Sequence, residues 1–176
     1  FYTINCSDLP KGRGFGEPVR LLTDLDQDSS LVEILLYKDG EKLVLGSSSG
    51  RGFIVSTQVL LTSNRTGKQI LNIKEGEKAI ACARVLGEYL AVVGANHKLI
   101  IFPLSEVPEL AKGRGVILQR YGSGGLSDIT TLNLVEGLSW KSGSRTRTEL
   151  ELTAWLGKRS QSGRLAPRGF PKNNRF

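Results

Sequence analysis

Cysteine, histidine, tryptophan and proline are scarce in this chain of 176 residues, and it has no long apolar run. The two cysteines, Cys6 and Cys82, lie far apart with no further Cys or His at ligand spacing around either, which argues against a disulfide framework and against a zinc module. The one histidine, His97, sits in Ala95-Asn96-His97-Lys98 without an Asp or Glu nearby to orient it. A solvated turn residue is expected there, not a metal ligand or the base of a nucleophilic site. Runs such as Leu43–Leu45 and Leu99–Phe102 fall far below the roughly 20 residues that span a bilayer. No signal-like segment opens the chain, so a cytoplasmic protein without membrane contact is expected. Asp24, Asp26 and Asp28 have the spacing of the first ligands of a calcium loop, but Ser29 and Leu35 stand where that loop needs Gly and Glu. Gly67-Lys68 and Gly12-Arg13-Gly14-Phe15-Gly16 likewise lack the spacing of nucleotide-binding loops.

What is present is positive charge and turn punctuation. Lys and Arg number 24 against 17 Asp and Glu, a formal charge of +7 that favours a polyanionic partner. The 21 glycines cluster between short runs of Val, Ile, Leu and Thr, which reads as strands and turns. Lys38-Asp39-Gly40-Glu41, between Leu31–Tyr37 and Lys42–Leu45, predicts a hairpin, because Asp-Gly tolerates the positive φ angles of a tight turn. Val85–Glu88 predicts a second one between Ala79–Arg84 and Tyr89–Val93. Thr148 and Glu151 have the spacing of a helix-capping box, followed by Leu152, Trp155 and Leu156 and closed by Gly163, so a short helix is expected near 149–162. The alternation of Leu150 and Leu152 suits a strand equally.

The chain also repeats itself. Leu43–Gly46 followed by Gly52–Val55 returns as Leu90–Gly94 followed by Lys98–Phe102, a shift close to fifty residues. A glycine-plus-cation corner follows each pair: Thr66-Gly67-Lys68 in the first case and Lys112-Gly113-Arg114-Gly115 in the second. Phe1–Ile4 with Lys11-Gly12-Arg13-Gly14 reads as the end of an earlier repeat, which suggests a fragment of a longer polypeptide. Corners at Gly12, Gly67, Gly113 and Gly163 are 55, 46 and 50 residues apart, the range of propeller blades. The expected organisation is a single all-β domain over 1–176: a partial repeat at 1–22, repeats near 31–72, 79–118 and 128–166, and a tail at 167–176. The Pro171–Phe176 end is a candidate partner tail.

Five stretches carry a resemblance to a known family: Lys11–Pro18, Gly50–Phe53, Thr66–Asn72, Ala91–Asn96 and Arg168–Asn173. In this order and at this period they resemble the C-terminal domain of the A subunit of bacterial type IIA topoisomerases, the gyrase A and topoisomerase IV family. The resemblance implies a β-pinwheel, a propeller-like ring of four-stranded blades that is open or closed, which binds and bends duplex DNA. It also implies a nucleoid-associated bacterial protein whose cleavage tyrosine, Mg2+ and ATP are all bound outside this segment. The implied partners are DNA, the B subunit and a second A subunit, the last two through upstream domains. On this reading Tyr2, Tyr37, Tyr89 and Tyr121 are packing residues, and the segment itself holds no cofactor and no catalytic group. The gyrase box close to Q-R-R-G-G-K-G is missing, with Gln119-Arg120 and the Gly-Arg-Gly corners as degenerate remnants, which favours the topoisomerase IV branch over a DNA-wrapping gyrase domain. A protein-binding propeller is the competing class, but Trp140 and Trp155 are few anchors for one.

Glycine allows close backbone approach to a phosphate while an adjacent cation supplies charge. The expected DNA contacts are therefore Lys11, Arg13, Arg65, Lys68, Lys112, Arg114 and Arg164, with Arg51, Lys98, Arg120 and Arg168 behind them. The corner glycines are Gly12, Gly14, Gly67, Gly113, Gly115 and Gly163. Rim loops present no recognition helix, so binding is expected to ignore base sequence.

Overall fold

Leu43-Val44-Leu45 and Leu90–Val93 are apolar on both faces of an extended chain, so each must lie in a sheet covered on both sides. The computed structural model, which describes residues 1–12 and 14–176, shows this arrangement. Its strands are β1 (Lys42–Ser47), β2 (Arg51–Ser56), β3 (Ala79–Arg84), β4 (Tyr89–Gly94), β5 (Lys98–Pro103), β6 (Val116–Ile117), β7 (Leu126–Leu132), β8 (Leu138–Ser142), β9 (Arg145–Glu149) and β10 (Arg164–Leu165), with one helical turn, α1 (Thr57–Leu60). Two antiparallel four-stranded sheets have the orders β3-β1-β2-β6 and β10-β5-β4-β7, and β8 and β9 form a separate hairpin. No helix among the described residues is long and apolar enough to cross a membrane.

The two sheets are the same object. Lys42 pairs with Ser56 and Gly46 with Gly52 in one, as Tyr89 pairs with Pro103 and Val93 with Leu99 in the other, a shift of 47 residues on the β1 and β4 side. Even the irregularity recurs, since the register slips after Gly46 against β3 and after Val93 against β7. The fourth strand of each sheet arrives late. β6 joins β2 only after the chain has built β4 and β5, and β10 joins β5 only after the β8–β9 hairpin. Neighbouring sheets are therefore laced together, and the span 79–118 contributes strands to both of them.

Side-chain alternation divides the interior into three layers. Val44 and Ile54 face Leu90, Val92, Ile100 and Phe102 between the sheets. On the far side of the first sheet, Leu43, Leu45, Phe53 and Val55 lie under Leu60 and Ile70. On the far side of the second, Ala91, Val93, Leu99 and Ile101 meet Leu138, Trp140, Leu152 and Phe170. A one-residue slip in any of these strands would exchange its two layers, which is why the register is tightly specified.

Three local expectations change. Asp39 and Gly40 do form a turn, but Leu31–Tyr37 is not a strand: it has no neighbouring strand among the described residues, and Ile34 and Leu36 are exposed. The link Val85–Glu88 is no hairpin either, because β3 pairs with β1 while β4 pairs with β5 and β7, so it crosses between sheets. The helix near 149–162 is absent. Thr148 lies in β9 with its hydroxyl against that of Ser139, Glu151 accepts from the Thr153 N–H, and only a 3-10 turn at Thr153–Trp155 forms. Pairing across the hairpin outweighs the capping signal, since Thr is at home in a strand.

Cys82 in β3 sits opposite Leu45, and its thiol is pushed up to about 12, first by burial and then by Glu33, whereas Cys6 is exposed. At pH 8 a thiol reagent should therefore modify one equivalent quickly and the second only on unfolding. Prompt modification of both would mean that the β3 edge opens readily.

Candidate nucleic-acid interface

The edge strands β6 and β10 are each entered through a glycine with positive φ, Gly115 at 71° and Gly163 at 76°, and Gly67 at 73° is the third of the set. These three are 48 residues apart. All three press against a neighbouring carbonyl: a Cβ would stand 2.0 Å from Gly52 O at Gly115, 2.3 Å from Leu99 O at Gly163 and 2.7 Å from Phe1 O at Gly67. Beside Gly67, Lys68 N–H donates to Phe1 O at 2.7 Å and the Phe1 amino group donates to Lys68 O at 2.9 Å. That pair is the counterpart of Gly52 with Val116 and of Leu99 with Arg164.

The structural phase therefore runs through Gly67, Gly115 and Gly163, correcting the series that used Gly12 and Gly113. Gly12 and Gly14 have open space where a Cβ would be, and Gly113 serves a different contact, donating its N–H to Ile70 O. Cations at this phase are staggered: Lys68 and Arg164 follow their glycine, Arg114 precedes its own, and Val116 fills the position after Gly115.

The expected DNA-contact residues separate into two groups. Arg114 is committed internally, with Nη2 2.7 Å from Glu77 Oε1, and its Nε is buried with no partner among the described residues. The Glu77 carboxyl is held below the usual range, first by the Lys74 N–H and in part by Arg114. Arg51 is also half-buried and donates to Gly115 O at 3.2 Å, so it braces the corner. Lys98 is half-buried at the equivalent place in the other sheet. Arg65 is exposed but lies 3.7 Å from Asp24 and donates to Leu21 O, and exposed Lys68 donates to Val59 O at 2.6 Å. By contrast Lys11, Lys112, Arg120, Arg164 and Arg168 are exposed with no acidic partner among the described residues. Arg120 and Arg164 line one shallow concavity with Trp155 and Ser160–Ser162. Arg13 lies outside the described residues.

Gln119 is engaged inside the fold and not presented to a ligand. It is 1% exposed, and its Nε2 donates to Lys98 O and Ser162 O, clamping the start of β5 to the loop that enters β10. Tyr121 lies where a Cβ on either Gly50 or Gly94 would collide with its ring, and burial raises its hydroxyl pKa. That is a packing role, as expected. Among the described residues no group of three or more His, Cys, Asp or Glu is placed to hold a metal ion.

Arg51 and Lys98 were read from the sequence, but Arg145 and the row that the three form were missed. Arg51, Lys98 and Arg145 are 47 residues apart and open β2, β5 and β9 respectively, so a row of hairpin cations runs along the stack. Arg145 is exposed, as are its neighbours Lys141 on β8 and Arg147 on β9. The signal was available in charge alone: residues 110–176 hold 12 Lys and Arg against 4 Asp and Glu, whereas residues 1–109 hold 12 against 13. All of the net positive charge thus belongs to the later part of the chain.

Stacked four-stranded sheets laced by late edge strands, with cations at the corners, define a propeller-like module carrying a basic surface. A family model described as the DNA gyrase C-terminal domain, beta-propeller, matches residues 41–85 and 88–134, more than half of the chain, and the chain belongs to that family. The A subunit of DNA topoisomerase 4 from Rickettsia bellii (strain RML369-C) is 43% identical over 176 residues, covering 100% of this chain and 24% of that protein. Its counterpart from Caulobacter vibrioides (strain ATCC 19089 / CIP 103742 / CB 15) is 41% identical over 177 residues, covering 100% and 23%. Among solved structures, the E. coli ParC C-terminal domain superposes with a TM-score of 0.78 at 26% identity, over 96% of this chain and 73% of that one. A C-terminal domain of DNA topoisomerase IV, at 12% identity and a TM-score of 0.70 over 85% and 49%, shares the fold. The chain spans about a quarter of the length of the curated relatives it matches. The resemblance read from the sequence, to the C-terminal domains of topoisomerase IV A subunits, is borne out.

Proposed function

We propose that this segment holds and bends duplex DNA by its phosphates as the C-terminal domain of a topoisomerase IV A subunit. It presents DNA crossings to an ATP-dependent cleavage core formed upstream with the B subunit and a second A subunit, and it performs no covalent step itself. The observation that supports this most is the set of exposed cations without acidic partners among the described residues, Lys112, Arg120, Arg164 and Arg168, on the part of the chain that carries the whole net charge. Exposed Lys and Arg at edge strands and turns suit phosphate oxygens, and nothing in these loops has the depth or regularity to read base edges in a groove. Preference among DNAs then comes from shape and ease of bending. The internal use of Gln119 speaks against a gyrase-like wrapping box at Gln119-Arg120.

Several labelled duplexes of unrelated sequence, measured in one buffer, should bind with nearly equal affinity. A preference above about a hundredfold, equivalent to ~2.7 kcal/mol, would mean that base readout operates and the reading is wrong.

A further inference from the structure

Position 97 is the counterpart of Gly50, 47 residues earlier, in the turn that joins the two central strands of its sheet. Both have positive φ, 79° at Gly50 and 61° at His97, and only the second carries a side chain there. A non-glycine residue in the left-handed region persists where its surroundings hold it in place. Here they do. His97 is half-buried rather than solvated: Nδ1 donates to Asn174 Oδ1 at 2.6 Å, and its ring meets Phe170 edge-on at 5.9 Å. Asn174, 8% exposed, also donates through Nδ2 to Ala95 O at 3.4 Å, which orients its Oδ1 toward the imidazole N–H. Just beyond β10, Ala166 N–H donates to His97 O at 2.9 Å.

The segment this turn receives is the end of the chain, expected from its sequence to be a partner tail and found folded back on the second sheet. Phe170 is 5% exposed and packs edge-on against Trp140 and Phe176, and Trp140 Nε1 donates to Gly169 O at 3.2 Å. Asp128 accepts from the Phe176 N–H at 3.0 Å and lies 3.6 Å from Arg175. The Arg147 guanidinium lies against Gly169, next to Arg168. Docking therefore brings exposed Arg168, and Lys172 four residues on, to the hairpin face that carries Arg145 and Arg147.

We infer that His97 is a positioning residue for DNA binding: it latches segment 167–176 to the β4–β5 turn, so that Arg168 and Lys172 become part of the polyanion-binding surface of the β8–β9 hairpin. The inference rests on the phosphate-binding reading above. A flexible chain bearing the same charges would lose conformational freedom on binding, whereas the latched one has already lost it in folding.

His97→Gly suits the backbone of the turn and removes the latch, so the thermal transition should remain close to that of the parent. Amide exchange over 168–175 should rise at least tenfold, duplex affinity should fall severalfold, and the plot of log affinity against log salt should flatten by up to about 1.8 units, two phosphate contacts' worth. His97→Asn, which tolerates the left-handed conformation and keeps a donor, should restore most of both. In the His97→Gly background, further Arg168→Gln and Lys172→Gln changes should add little, while in the parent they should reproduce most of the loss. Released exchange with unchanged affinity and salt slope would overturn the latch's role in binding, and so would full additivity of the two sets. Failure of the unaltered chain to bind any duplex would instead remove the underlying reading.

Discussion

Replacing Lys112, Arg120 and Arg164 together by glutamate should abolish most duplex binding while leaving the thermal transition within about 5 °C of the parent, since exposed charge changes usually alter stability by no more than ~0.5 kcal/mol each. These side chains are exposed and have no acidic partner among the described residues, so nothing inside the fold depends on them. Each phosphate contact releases condensed counterions, and three neutral replacements should flatten the salt plot by about 2.7 units. Arg51 and Arg114 supply the contrast. Their guanidinium groups are held by Gly115 O and Glu77, so neutralising them should flatten the plot less and lower stability more. Equal slopes from both sets would place the DNA track on the braced cations and overturn the division between braced and exposed groups. Unchanged binding in the glutamate variant would move the track off the segments that enter and leave β6 and off β10.

A Gly115→Ala variant should lose on the order of 4 kcal/mol of stability and about 10 °C or more in its transition. The left-handed conformation costs an L-residue roughly 1–2 kcal/mol, and the rest comes from displacement, because the new methyl would meet Gly52 O at 2.0 Å and that atom belongs to backbone. The edge strand β6 must then move off β2, which unlaces the two sheets. Gly163→Ala should behave alike through Leu99 O. Gly12→Ala is the control, since its φ of 66° carries the conformational cost and, beyond its chain neighbours, no atom of the described residues lies within 4 Å of the added carbon. If chemical denaturation found Gly115→Ala and Gly12→Ala equally stable, the corner would be an ordinary turn.

The all-β class, the repeated pair of strands and the family resemblance were legible because repetition needs no tertiary knowledge. Leu43–Val55 and Leu90–Phe102 announce the same pair of strands twice, and the structure pairs each into a hairpin and aligns them at a shift of 47 residues. The corner series went astray at Gly12 and Gly113 because Lys-Gly-Arg-Gly offers two glycines, and only contact with a carbonyl on another strand distinguishes Gly115 from Gly113. The helix expected near 149–162 failed for a related reason. A capping box is a local preference, and Thr148 had a better use across the hairpin from Ser139.

Charge was counted correctly and placed incompletely. Composition and pattern alone determined that the chain is basic, that its interior is built from strands buried on both faces, and that its repeats stack, because burying short apolar runs between glycine turns leaves few other solutions. Which cations face solvent was decided only by tertiary structure. Arg114 and Arg164 stand beside equivalent glycines, yet Glu77, 37 residues away in sequence, engages the first and nothing comparable among the described residues reaches the second. The same holds for His97 and the chain end: an isolated histidine in a turn reads as solvated until Asn174 and Phe170, more than seventy residues later, are folded against it. Local pattern is a property of neighbours along the chain, whereas the availability of a charge depends on which distant groups the fold brings within a few ångströms of it.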